Sequence, residues 1–81
     1  MKIKPLRNDL KKYLKNHQLI KKFDKQRSLF ETDPFHRSLN TEVLQPKRLR
    51  LYSFRIDQKY RAIFVIIGGD AEIVDINKHY E

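Results

Sequence analysis

Apolar residues at Leu6, Leu10, Tyr13 and Leu14 recur at intervals of four, seven and eight, the stripe of an amphipathic helix, with Lys11, Lys12 and Lys15 on its wet side. Asn16, His17 and Gln18 break the pattern. A second stripe follows with Leu19, Phe23 and Phe30, flanked by Lys21, Lys22 and Lys25. Two helices in a hairpin are expected, the second ending before Asp33-Pro34, because proline disfavours helical geometry at the residue that precedes it. Residues 34–48 have no clean period and carry two prolines, so they read as a loop leading to a sheet.

From Leu49 to Asp57 the period becomes two, with Tyr52, Phe54 and Ile56 pointing one way and Leu51, Ser53 and Arg55 the other. Tyr60 to Ile67 is apolar on both faces except for Arg61, as expected of a central strand. Gly68-Gly69-Asp70 reads as a hairpin turn, Ala71 to about Lys78 as the next strand, and Met1 to Lys4 as a short edge strand ended by Pro5. The pattern predicts an α+β fold: a helical hairpin on one face of a three- to four-stranded, twisted, mainly antiparallel sheet, with residues 1–81 forming a single domain.

Strand parity then decides which side chains share a face. With three-residue turns at Asp57 to Lys59 and Gly68 to Asp70, Ile56 pairs with Tyr60 and Ile67 with Ala71. Arg55 then lies opposite Arg61, and Arg61 opposite Asn77, with His79 two residues further along the same face. The other face holds Tyr52, Phe54, Ile56, Phe64 and Ile76, against which the helices should pack. Like charges directly across a sheet destabilise by up to about 1 kcal/mol. An anion bound between Arg55 and Arg61 would relieve this; so would splaying into water, or pairing with Asp75 and Glu42.

Composition narrows the class of partner. The 81 residues include 18 Lys and Arg against 10 Asp and Glu, a formal charge of +8 that favours a polyanionic or acidic partner. Five Phe and four Tyr supply a core that a disordered chain lacks. Without cysteine there is no disulfide, thiolate metal site or thiol nucleophile. No apolar run of signal-peptide type follows Met1, and Ala62 to Ile67, the longest apolar run, is far short of the roughly 20 residues that span a bilayer. A cytoplasmic protein is expected.

The order of elements, the segment YSFRIDQKYRAIFVI (Tyr52 to Ile66) and the ending KHYE (Lys78 to Glu81) resemble the RelE/ParE toxins over nearly the whole chain. The most diagnostic feature is Tyr-Arg-x-Ile-Phe at Tyr60 to Phe64, followed after a turn and one strand by His79-Tyr80. Leu39 to Pro46, with Glu42 nineteen residues before Arg61, is similar to the acidic segment of the YoeB-like branch; His79 and Tyr80 are similar to its C-terminal pair. A short, weakly apolar first strand and Glu81 beyond the terminal tyrosine depart from the family pattern.

The resemblance implies a ribosome-dependent endoribonuclease that cuts messenger RNA and inhibits translation. In that scheme Glu42 is the general base, Arg61 contacts the scissile phosphate, His79 is the general acid and Tyr80 positions RNA. The chemistry is coherent without the name. RNA cleavage by side chains needs a base for the 2'-hydroxyl, cationic donors for the phosphorane-like transition state and an acid for the departing 5' oxygen. Arginine grips phosphate bidentately, and histidine titrates near neutrality. Arg55, Lys47, Arg48, Arg50 and Lys59 are read as surrounding this site and anchoring backbone phosphates, with Asn77 as a further substrate contact. No cofactor or metal is called for.

Blander readings compete at each position. Glu42 can be a solvated loop carboxylate, His79 an idle residue near a chain end, and Tyr80 a ring covering apolar surface. His17 and His36 lack a metal-ligand partner at helical spacing and read as loop histidines, with His36 an outside candidate. The helix lysines are first of all a wet face. The partners expected are messenger RNA, the ribosome and an acidic antitoxin, with the chain itself a monomer or weak dimer and no membrane involved. Two other functions stay open: a ParE-like inhibitor of DNA gyrase, and an inactive relative that binds antitoxin and cuts nothing.

Overall fold

In the computed structural model, which describes residues 1–78, the two apolar stripes become α1 (Asn8–Asn16) and α2 (Ile20–Thr32). Between them Gln18 takes a left-handed conformation (φ 56°), which reverses the chain and lets the Leu19 N–H donate to the Leu14 carbonyl at 2.7 Å. The second helix stops at Thr32 because Asp33, held extended (φ −149°), precedes Pro34.

Four strands follow: β1 (Glu42–Val43), β2 (Tyr52–Arg55), β3 (Tyr60–Ile67) and β4 (Asp70–Lys78), antiparallel throughout and in spatial order β1-β2-β3-β4. The helices cover one face of this sheet. Phe30 lies between α2 and the sheet, its ring centroid 5.1 Å from that of Phe54 and 5.2 Å from that of Phe64, and Phe23 reaches Phe54 at 6.1 Å. Each such aromatic pair adds roughly 0.5–1.5 kcal/mol to the stabilisation from burial itself. Leu10, Leu14, Leu19, Ile56, Ala62, Ile73 and Ile76 complete the buried layer.

Several expectations need correction. Met1 to Lys4 is no strand: Ile3 makes a single parallel bridge to Ala71, with Ala71 N–H donating to the Lys2 carbonyl and Lys4 N–H to the Ala71 carbonyl, both at 2.8 Å. Residues 34–48 are not a plain loop. They contain a 3-10 turn at Arg37–Leu39 and the start of another at Lys47–Leu49, and between the two lies β1, the edge strand. The second strand starts at Tyr52, not Leu49, because Arg50 adopts a left-handed conformation (φ 52°) that no extended strand accommodates.

The β3–β4 connection differs as well. Gly68 and Gly69 form a two-residue turn with φ of 61° and 84°, the left-handed pair that glycine allows, so Ile67 pairs with Asp70 and not with Ala71. A bulge then corrects the phase. Phe64 pairs with Ile73 but Ile63 with Asp75, leaving Val74 as the extra residue. From that point the expected register holds, Arg61 opposite Asn77. The consequence falls on Ala71 and Ile73, which a three-residue turn would send to the open face and which are buried under the helices instead. Among the described residues no helix is long and apolar enough to cross a membrane.

Candidate functional site

The sheet face turned away from the helices carries the charged groups, in two adjacent rows. One runs Glu42, Ser53, Ile63, Asp75 across all four strands; the next runs Arg55, Arg61, Asn77 across β2, β3 and β4. Antiparallel partners project on the same side, so this register alone brings Glu42 into the company of two arginines. Asn40, Glu42, Ser53, Arg55, Asp57, Tyr60 and Arg61 line one shallow cleft. Glu42 belongs to β1, and a strand holds its side chain more firmly than the loop expected for it would.

Hydrogen bonds orient the members. Asn40 Nδ2 donates to Glu42 Oε1 at 3.2 Å; Arg61 Nε donates to Asn77 Oδ1 at 3.2 Å; Asn77 Nδ2 donates to Asp75 Oδ2 at 3.0 Å. Among the described residues neither Arg55 nor Arg61 forms an ion pair, so the direct pairing with Glu42 or Asp75 that the sequence left open is not made. Two guanidiniums whose terminal N–H donors have no partner among the described residues, beside a carboxylate, can clamp a phosphate while the carboxylate accepts a proton.

The floor of the site is anchored from below. Gln26, a buried residue of α2, donates through Nε2 to the Arg55 carbonyl at 2.7 Å and to the Ser38 carbonyl at 3.2 Å. That ties the helix to β2 and to the segment leading into β1. Asp57 closes the β2–β3 turn: Oδ1 accepts from the N–H groups of Lys59 and Tyr60, both at 2.8 Å, and Oδ2 accepts from Lys22 Nζ at 3.1 Å. Burial alone would raise its pKa, but the two backbone donors and the Lys22 ammonium outweigh this and hold the carboxyl below its usual range.

Other sequence candidates fall elsewhere. Lys59 sits in the turn at the Arg61 end. Lys47, Arg48 and Arg50 do not surround the cleft: β1 runs antiparallel to β2, so their connection leaves the sheet at its Tyr52 end, where Arg50 neighbours Ile66 and Ile67. From Arg55 to Tyr52 the strand already spans about 10 Å. His79 and Tyr80 lie outside the described residues. His36 is a turn residue whose Nδ1 accepts from the Ser38 N–H at 3.1 Å. His17 is no bare loop histidine, for it stacks on Tyr13 at 3.9 Å with Tyr60 edge-on at 5.6 Å. Among the described residues no group of three or more His, Asp or Glu side chains clusters as metal ligands would.

Sequence reasoning missed Asn40, Ser53, Asp57, Tyr60 and Gln26. Gln26 had a signal, since it stands seven residues after Leu19, three after Phe23 and four before Phe30, a polar residue on an apolar stripe. Asn40 had a weaker one, asparagine being, after glycine, among the residues that most readily accept the left-handed conformation found there.

With the geometry in hand, the class of fold is clear: this is the architecture of the YoeB/ParE toxins. A YoeB/ParE toxin from Agrobacterium tumefaciens superposes with a TM-score of 0.72 at 19% identity, covering 99% of this chain and 100% of that one. The heterotetrameric YoeB-YefM toxin-antitoxin complex from Staphylococcus aureus gives 0.68 at 18% identity, and a YoeB-YefM complex from the same organism 0.69 at 20%, each covering 98% of this chain and 94% of the other. No protein-family model and no curated protein matches the sequence.

Proposed function

We propose that this chain is the toxin of a toxin-antitoxin pair and acts in the cytoplasm as a ribosome-dependent endoribonuclease. The observation that carries this reading is the shared cleft of Glu42, Arg55 and Arg61, on a fold otherwise found in YoeB/ParE toxins. Glu42, held by Asn40 and facing two cations, takes the proton from the 2'-hydroxyl. The guanidiniums of Arg61 and Arg55 neutralise the charge that develops on the phosphorus oxygens, donating where the transition state gains charge. His79 protonates the departing 5' oxygen and Tyr80 positions the RNA, as the resemblance to the YoeB-like branch implies. No metal or cofactor takes part in this scheme.

Lys59 contacts phosphate beside the cleft. Lys47, Arg48 and Arg50, at the far end of the sheet, meet RNA away from the scissile bond and add affinity without chemistry. An acidic antitoxin, complementary to the formal charge of +8, restrains the activity. The YoeB-YefM complexes with the same fold support a partner of that kind.

The test is a reconstituted translation reaction with mapping of messenger ends. Wild-type protein should produce discrete cuts, and Arg61→Ala, Glu42→Ala and His79→Ala should each slow cleavage by about 100-fold or more. Cleavage at the wild-type rate in Arg61→Ala and Glu42→Ala would overturn the site. Unbroken messenger with continued translation and accumulating cleaved DNA complexes would make the chain a gyrase inhibitor instead.

A further inference from the structure

The β4 bulge and the hydrogen bonds beyond it have a common result: they fix the guanidinium of Arg61. In plain alternation with β3 from the Gly68-Gly69 turn onward, Asp75 and Asn77 would project toward the helices and Ile76 toward the cleft. The extra residue, Val74, reverses this. Arg7 Nη2 donates to the Val74 carbonyl at 3.1 Å, giving the displaced peptide a partner. Ile76 is thereby buried in the core, and Asp75 and Asn77 join Arg61 on the open face.

The hydrogen-bond roles allow a single assignment. A guanidinium can only donate and an ionised carboxylate can only accept. The Asn77 amide between them must therefore turn its oxygen to Arg61 Nε and its nitrogen to Asp75 Oδ2, which is the arrangement found at 3.2 and 3.0 Å. With Nε engaged, the two terminal Nη groups of Arg61, without a hydrogen-bond partner among the described residues, are left to the cleft.

We propose that Asn77 and Asp75 are positioning residues for Arg61: Asn77 holds the guanidinium by Nε, Asp75 holds the Asn77 amide, and neither touches the substrate. This replaces the role of substrate contact given to Asn77 from sequence, and its kinetic part rests on the RNA-cleavage reading. In translation reactions with the ribosome concentration varied through saturation, Asn77→Ala should lower kcat about tenfold with KM unchanged, because the phosphate clamp is formed but misaligned. Asp75→Ala should lower kcat about threefold, and Asp75→Asn should recover most of that loss, since its amide oxygen still accepts from Asn77.

The direct readout is the Arg61 Nε–Hε resonance of isotope-labelled protein. It should move in Asn77→Ala and Asp75→Ala, and stay near its wild-type position in Asp75→Asn, with thermal unfolding midpoints alike in all four proteins. A raised KM with unaltered kcat in Asn77→Ala would restore the substrate-contact role and overturn the proposal; so would an Arg61 resonance indifferent to both alanine variants. Should wild-type protein leave messenger intact, the cleavage reading fails by itself, and the resonance still decides whether the relay exists.

Discussion

Arg55 and Arg61 are cross-strand partners, two cations directly opposed on β2 and β3 with no ion pair to either among the described residues. Such a placement costs stability, by up to about 1 kcal/mol, in the unliganded protein. Replacing one member should therefore stabilise the fold while weakening its function. Arg55→Gln is expected to raise unfolding stability by roughly 0.5 kcal/mol at low ionic strength, a gain that shrinks as salt screens the pair. Urea unfolding at two salt concentrations checks this, with messenger cleavage measured in parallel and expected to fall. A destabilised Arg55→Gln protein would mean that the opposed arginines are not repelling one another.

Gln26 links α2 to the cleft through two part-buried hydrogen bonds, to the carbonyl oxygens of Arg55 and Ser38. Gln26→Leu keeps the volume roughly constant but strands both acceptors, at a cost of about 1–3 kcal/mol. Hydrogen exchange should show the consequence locally as well as globally, with faster exchange in residues 37–43, because the segment that delivers Glu42 loses its tie to the helix. Unfolding in denaturant measures the total, and a loss below about 0.5 kcal/mol would show the two hydrogen bonds to be replaceable by water.

Asp57 makes the β2–β3 turn sensitive to acid. Its carboxyl is held below the usual range in the folded chain, so ionisation favours the native state. The contribution is complete above the unfolded value near pH 4 and is lost as the pH falls through the lower folded value. Wild-type protein should exceed Asp57→Asn in stability by roughly 1 kcal/mol at pH 7, since the Lys22 partner is solvent-exposed. Unfolding curves of the two proteins should converge as the pH falls below about 4 and through the lowered folded value. A difference independent of pH across that window would show that the turn geometry matters and the charge does not.

What could be read from sequence was whatever obeys a period. The stripes of Leu10, Leu14, Phe23 and Phe30, and the alternation through Tyr52, Phe54 and Ile56, reflect burial on one side and were legible for that reason. Glu42 and Val43 are both exposed, so their strand has no alternation to reveal it, and the sequence there reads as loop. Leu49 misled in the opposite sense: an apolar residue at a plausible strand start that is 55% exposed at the end of a 3-10 turn.

Two different turn geometries give β4 the same register at its C-terminal end. A three-residue turn without a bulge and a two-residue turn with one place Arg61 against Asn77 alike, and they differ only over residues 70–74, where Ala71 and Ile73 change faces. Side-chain hydrogen bonds such as Asn40 to Glu42 leave no trace in a periodicity, since they depend on backbone conformations at single residues.

Asn40 combines two roles that substitution can separate. Its backbone is left-handed (φ 47°), a conformation that costs most residues roughly 1–2 kcal/mol and glycine nothing, and its side chain donates to Glu42. Asn40→Gly should therefore keep stability within about 0.5 kcal/mol of wild type, and Asn40→Ala should lose about 1 kcal/mol. Both should lose the hydrogen bond that steadies the Glu42 carboxylate, so cleavage should slow by a similar factor in each, several-fold in kcat. Thermal unfolding and single-turnover cleavage, measured together, give the comparison its force: the backbone effect divides the two variants and the hydrogen bond unites them. If Asn40→Gly cleaved at the wild-type rate, Glu42 would need no help from its neighbour, and the pull of Arg55 and Arg61 on a bound phosphate would have to align the substrate with the carboxylate unaided.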